Sequence, residues 1–352
     1  VRIRRQLHMY PETKWDLPRT TALVREELER SGVFYEADKY GPNTIVATIN
    51  PQIAAFTIAL RADMDALPIQ ERNEDKAYRS RIPGAMHACG HDAHTAMLLG
   101  AAKALHAVRD RLRCRVKLLF QPCEEGRPSG ARVMCEHGVM EGVDCVLMCH
   151  VNCGDPVHVV SCCSGVTNAT SVAFKISLDG RAVHVASPHC GVDALAAGVK
   201  LYNGIQLLVS REVDPFDVCV MSVCTMHAGN TVATNAEHCE LEGSIRCLRD
   251  STMAWAQTRL EKLMRLTAQE TVRWAIDWSG EPLPSAHNDP ALYAAFRASA
   301  EKVVGPERFC RLLPSPGAED FAYYEQRKPG LLFGLGMRNP AKGACHPAHT
   351  CD

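Results

Sequence analysis

Arg115-Val116-Lys117-Leu118-Leu119-Phe120-Gln121-Pro122-Cys123-Glu124-Glu125-Gly126 is an apolar run that stops at a proline and then presents two adjacent carboxylates. A run this short, bounded by turn residues, reads as a strand over 115–121 followed by a loop. Working outward, the chain up to residue 160 alternates such runs with helical patterns. A helix is expected over 20–31, a strand over 54–60, a helix over 95–108 and a strand over 145–149. Strands alternating with helices predict an α/β layer on a mostly parallel sheet. In such sheets functional groups gather beyond the carboxyl ends of the strands. Asp63 and Asp65 after Leu60, Glu124 and Glu125 after Gln121, and His150 after Cys149 all follow that rule.

Upstream of the paired glutamates, Met86-His87-Ala88-Cys89-Gly90-His91-Asp92-Ala93-His94 adds a thiol and several imidazoles. Thiolate and neutral imidazole are good ligands for zinc-like ions, and a carboxylate beside a ligating carboxylate can stay free to move protons. The combination reads as a metal-dependent hydrolase. Taken alone, adjacent acids read as a solvated turn and a lone His150 as structural; Cys89 and His91 tip both toward function.

Bulk composition narrows the classes. The chain has 352 residues, 46% of them hydrophobic and 22% charged, with a net charge of −1. It is long enough for two domains, and its charge balance offers no reason to expect nucleic acid or an anionic membrane as partner. No apolar run approaches the ~18 residues that span a bilayer, and no signal peptide opens the sequence, so a soluble, cytoplasmic protein is expected. Both ends, Val1 and Asp352, are expected to be trimmed. The seventeen cysteines are odd in number, spread along the chain and without a Cys-x-x-Cys pair, which favours reduced thiols over a disulfide framework.

From about Thr170 the order becomes strand 170–178, helix 193–210, strands 217–226 and 239–248, helix 251–270 and strand 271–278. This is the β-α-β-β-α-β order of a ferredoxin-like, split βαβ domain. After Glu281-Pro282-Leu283-Pro284 a helix over 290–304 and a strand over 331–335 return to the first pattern. The expected fold is α/β: a mostly parallel-sheet catalytic domain (1–166 and 281–352) interrupted by an inserted α+β lid or dimerisation domain (167–280).

These residues resemble a known family, the two-domain, two-metal amidohydrolases and peptidases related to aminoacylases, and within it the branch of hippurate hydrolases and indole-acetyl-amino-acid hydrolases. The matching stretches are 7–12, 61–68, 87–94, 121–126, His184 with Pro188-His189, Gly243-Ser244-Ile245-Arg246 and Gly317-Ala318-Glu319-Asp320-Phe321, in family order over nearly the whole chain. The resemblance implies two divalent ions, Zn2+ or Mn2+ with Co2+ as a substitute, held by Cys89, His91, Glu125, His150 and a C-terminal histidine, with the Cys89 thiolate shared. It implies Glu124 as general base and then acid, His184 as oxyanion stabiliser and Arg246 as clamp for a substrate carboxylate. Asp63 and Asp65 are expected behind the ligands, and which of them orients an imidazole is open. The implied reaction is hydrolysis of an N-acyl amino acid to a carboxylic acid and a free amino acid.

Several alternatives stay open at this level. Gly343-Ala344-Cys345-His346-Pro347-Ala348-His349-Thr350 offers two histidines; His349 fits the family pattern of histidine followed by serine or threonine better than His346. Over 229–237 the family's asparagine is expected near Ala233, and its apparent loss bears on substrate. Asp320 reads equally as a pocket residue or a helix cap, and Arg246 also reads as an exposed strand charge. His106, His137 and His158 have no ligand-like partners. A dipeptidase or carboxypeptidase on the same scaffold, and a non-catalytic metal-containing binding protein, are the rival functions. The inserted domain also allows a homodimer.

Overall fold

The computed structural model describes residues 1–352 except 54, 74, 75, 269–271, 279, 281, 345 and 352. The expected strand start at Ala54, the helix end at Glu270, the strand start at Thr271, the boundary at Glu281, and Cys345 and Asp352 therefore lie outside the described residues. The chain divides into two compact units: Val1–Thr167, His287–Leu313 and Asp320–Asp352 form the first, and Asn168–Ala286 with Pro314–Glu319 form the second.

The first unit is built on an eight-stranded sheet. Its strands run in the order Phe34–Ala37, Ile45–Ile49, Arg115–Gln121, Thr57–Asp63, Cys145–Pro156, Gly330–Arg338, Val160–Cys162, Phe309–Arg311. The four central strands, from Arg115–Gln121 to Gly330–Arg338, are mutually parallel. Antiparallel strands join on both sides of that centre. Buried Leu118, Phe120, Ile45 and Ala62 pack against Leu98, Leu99 and Ala102 of the helix His91–Ala107 on one face. On the other face Leu119, Val146 and Met148 pack with Met134, Phe321 and Tyr324. Burial on both faces is why these strands read as continuous apolar runs.

Three boundaries differ from expectation, and each matters for the site. The strand expected to end at Leu60 continues to Asp63, so Asp63 is its last residue. The strand expected to end at Cys149 runs to Pro156, which puts His150 inside it rather than after it; parallel pairing with Gly330–Arg338 carries it on. The helix expected from Thr95 starts at His91, because Gly90 takes the left-handed conformation at φ +90° and ends the preceding loop. A β-carbon at Gly90 would lie 2.4 Å from Val151 Cγ2, so only glycine fits there.

The second unit is a four-stranded antiparallel sheet in the order Arg273–Asp277, Thr170–Asp179, His238–Cys247, Cys219–Ala228. In sequence order that is 4-1-3-2, the ferredoxin-like arrangement. Val172, Phe174, Ile176 and Leu178 alternate inward from the central strand onto Leu201, Ile205 and Leu208 of the helix Ala194–Glu212 and Leu260 and Met264 of the helix Asp250–Ala268. Each fully buried side chain of this kind contributes about 1.5–3 kcal/mol. Asp193 starts the first of these helices by accepting the N–H groups of Leu195 and Ala196. The segment Pro314–Glu319, outside the expected inserted range, belongs to this unit because Ala169 N–H donates to Ser315 O and Gly317 O.

Candidate metal centre

In the first unit the interior of one parallel strand, the loop after another and the start of one helix bring the expected residues together. The helix N-terminus delivers His91, with Cys89 just before it; the loop after Arg115–Gln121 delivers Glu124 and Glu125; the strand Cys145–Pro156 delivers His150. His349 arrives from the C-terminal segment, anchored by its N–H donating to Ala88 O at 2.9 Å. Cys89 Sγ lies 3.6 Å from His150 Nε2. His349 Nε2 lies 3.2 Å from Glu125 Oε1, and His91 Nε2 stands 4.0 Å from both Glu124 Oε2 and Glu125 Oε1. Three overlapping groups with donor atoms within 4.8 Å of one another result: Cys89, His91 and His150; Cys89, Glu125 and His349; His91, Glu124 and Glu125. Cys89 belongs to two of them.

The loop that carries the glutamates is held from both ends. Asp65 accepts the backbone N–H of Glu124 at 2.9 Å and of Glu125 at 3.1 Å. Cys123 turns the chain with φ +53°, and Gly130 closes the loop where a β-carbon would lie 1.7 Å from Pro122 O. Asp320, fully buried, accepts from Ser129 Oγ and from Ala131 N–H at the start of the helix Gly130–Glu136. It therefore caps a helix far from it in sequence, while its own neighbour helix Ala322–Glu325 receives no side-chain cap.

The imidazoles are oriented by their second nitrogens. His91 Nδ1 faces Asp65 O at 2.8 Å, and His150 Nδ1 donates to Val151 O at 2.7 Å. This leaves each Nε2 facing the cluster, the arrangement in which outer partners set a ligand's tautomer. Asp65 thus serves His91 and both glutamates, whereas Asp63 accepts from His94 Nδ1 at 2.7 Å and is braced by Arg61 at 2.6 Å. Burial pushes the Cys89 thiol up to about 12, with Glu125 and Glu124 adding to the rise and His91 opposing it. Burial likewise drives His150 down to about 3, helped by neighbouring His94. Burial opposes the charge on Glu125, but the hydrogen bond to His349 and the field of His91 outweigh it and hold the carboxyl below its usual range.

A divalent cation fits this donor set. Among the described residues His91 Nε2 is buried without a hydrogen bond, although a thiol and three carboxylates surround it, Asp63 nearest at 3.7 Å. An unpartnered buried nitrogen is costly unless something binds it, and a thiol, imidazoles and a carboxylate are a zinc-type set. Candidate residues overlooked in the sequence are His94, three residues after His91 on the same helix face, and Arg61 beneath Asp63; the i, i+3 spacing of the histidines was the available signal.

The other expected residues lie in the second unit. His184 is exposed on a loop, its Nδ1 accepting Ala186 N–H at 3.1 Å. That loop is tied by Asn235, whose side chain accepts Val183 N–H at 2.7 Å and donates to Arg181 O and Val192 O. Arg246 is half-buried on the strand His238–Cys247 and donates to Pro316 O at 3.3 Å.

Comparison with known proteins gives the family. Residues 59–352 match the model of Peptidase family M20/M25/M40. The chain is 35% identical to thermostable carboxypeptidase 1 of Saccharolobus solfataricus over 99% of its length and 88% of that protein. It is 36% identical to IAA-amino acid hydrolase ILR1-like 4 of Arabidopsis thaliana, over 99% of this chain and 80% of that one. Among solved structures, a Bacillus subtilis protein described as a dinuclear metal-binding peptidase of the M20 family superposes with a TM-score of 0.84 at 28% identity, covering 99% of this chain and 90% of that one. This chain belongs to Peptidase family M20/M25/M40.

Proposed function

We propose that this protein is a metal-dependent amidohydrolase that cleaves the amide bond of N-acyl amino acids. The observation that carries the reading is the pair Glu124 and Glu125, both fastened by Asp65 beside a thiol and imidazoles. Cys89, His91, Glu125, His150 and His349 would hold two divalent ions, zinc or manganese. Bound there, the ions would polarise the amide carbonyl and acidify the attacking water. Glu124 takes the proton of that water as it adds to the carbonyl carbon. The same carboxyl then returns the proton to the amine nitrogen as the C–N bond breaks, giving a carboxylic acid and a free amino acid. His184 would donate a hydrogen bond to the developing oxyanion, and the planar fork of Arg246 would pair with the substrate carboxylate.

The second unit would serve as lid and as the surface of a homodimer, a reading supported by its two edge strands, Arg273–Asp277 and Cys219–Ala228. No helix among the described residues is long and apolar enough to cross a membrane. Every described cysteine is free, which supports a reducing compartment such as the cytosol.

Amine release from a panel of N-acyl amino acids, measured on stripped protein, on protein reloaded with zinc or manganese, and on reloaded Glu124→Gln, tests the proposal. Activity only after reloading, with a loss of ~10²–10⁴-fold in the variant at unchanged metal content, is the expected result. A variant as fast as the parent would remove Glu124 from the mechanism. Similarity to a carboxypeptidase favours peptides as the second reading. Turnover of dipeptides and not of acyl amino acids would establish it.

A further inference from the structure

His94 has no part in the mechanism above, yet it sits among the candidate ligands. It is 2% exposed, stacks on His91 with ring centroids 5.4 Å apart, and meets His150 edge-on at 4.6 Å. With Asp63 and His91 it forms a group that could hold an ion, but both of its nitrogens are already used. Nε2 accepts the backbone N–H of Val151 at 2.9 Å, and a backbone N–H can only donate. The proton is therefore on Nδ1, which donates to Asp63 Oδ1 at 2.7 Å. A lone pair spent on a peptide group is not offered to a metal.

Val151 links this imidazole to the next. Its N–H holds His94, while its carbonyl takes the Nδ1 proton of His150 at 2.7 Å. Its side chain also packs against Gly90, where no β-carbon would fit. Behind His94, Asp63 is gripped by the fully buried guanidinium of Arg61 at 2.6 Å. A continuous buried chain thus runs from Arg61 through Asp63, His94 and Val151 to His150.

We propose that His94 is a positioning residue: by holding the Val151 N–H from Asp63, it fixes the backbone whose carbonyl aims His150 Nε2 into the group formed with Cys89 and His91. The inference rests on the metal-centre reading and adds to it a residue that binds no ion itself. Side chains of matched reach separate its two contacts. In His94→Asn the amide can still meet Asp63 but falls short of Val151; in His94→Gln the amide oxygen can reach the Val151 N–H; His94→Leu abolishes both contacts.

The experiment is titration of the stripped full-length proteins with Co2+, read by affinity and by the visible ligand-field and thiolate bands. His94→Asn and His94→Leu are expected to weaken cobalt binding by about 10–100-fold and to change the spectrum, with circular dichroism unaltered. His94→Gln is expected to keep the parent spectrum and stay within a few-fold in affinity. Parent-like binding by His94→Asn would overturn the positioning role, and loss of a whole equivalent of cobalt in His94→Gln would show that His94 is itself a ligand. A parent protein that takes up no cobalt would overturn the metal-centre reading and this inference together; the variants bear on His94 alone.

Discussion

The carboxylate of Asp65 accepts the backbone N–H of Glu124 at 2.9 Å, although the two residues belong to different strand ends. Its other oxygen takes the N–H of Glu125 at 3.1 Å, so one buried side chain sets the direction of both glutamates. Removing it leaves two buried donors unsatisfied next to the proposed chemistry. Asp65→Ala is expected to lower kcat by about 10–100-fold while the protein still folds. Steady-state kinetics beside a circular dichroism spectrum would check this, and a parent-like kcat would show that the loop holds its own shape.

The C-terminal histidines should separate cleanly. His349 Nε2 is 3.2 Å from Glu125, whereas His346 belongs to none of the candidate metal groups among the described residues. His349→Ala is expected to lose about 10–100-fold in metal affinity and His346→Ala to lose little. Elemental analysis after dialysis against a weak chelator reads the difference. The reverse pattern would assign the ligand to His346.

Arg61 and Asp320 form an ion pair at 2.6 Å with both side chains fully buried. Asp320 also receives Gln121 Nε2 and Ser129 Oγ, so it joins the strand before the glutamate loop to the helix after it. Breaking a buried pair from one side leaves an uncompensated charge, which costs about 3–5 kcal/mol. Asp320→Ala should shift the denaturant midpoint down accordingly. An unchanged midpoint would mean that Asp63 alone satisfies the guanidinium.

Glu325 should impose a pH dependence on stability. Burial pushes its carboxyl up from 4.5 to about 7, against the pull of the His287 N–H that it accepts at 2.6 Å. Its folded pKa lies above the unfolded one, so its contribution is fully present below pH 4.5 and is lost as the pH rises through 7. Glu325→Gln keeps an acceptor for His287 and carries no charge. It is expected to leave stability nearly unchanged at pH 4.5 and to raise it at pH 8 by an amount on the order of 1–3 kcal/mol. Denaturation at the two pH values decides, and equal effects at both would exclude the titration.

Elements whose signal is local were legible in the sequence. The helix expected over 290–304 is Pro290–Val304, started by Asp289 and ended at Gly305, all readable from neighbours in the chain. The second unit's β-α-β-β-α-β order follows from apolar periodicity in the same way. Boundaries that depend on pairing were not legible. The strand through His150 is prolonged by Gly330–Arg338, and no local residue announces that.

The residue types and order of Cys89, His91, Glu124, Glu125 and His150 were by themselves enough to predict metal-dependent hydrolase chemistry, because ligand chemistry is a property of side chains. Only the tertiary structure decided which partner holds which candidate residue. Asp65 serves His91 and the glutamates, Asp63 serves His94, and Asp320 caps a helix that begins at Gly130. The physical reason is that a hydrogen bond needs a donor and acceptor about 3 Å apart, and for groups on separate strands that distance is set by sheet packing rather than by position along the chain.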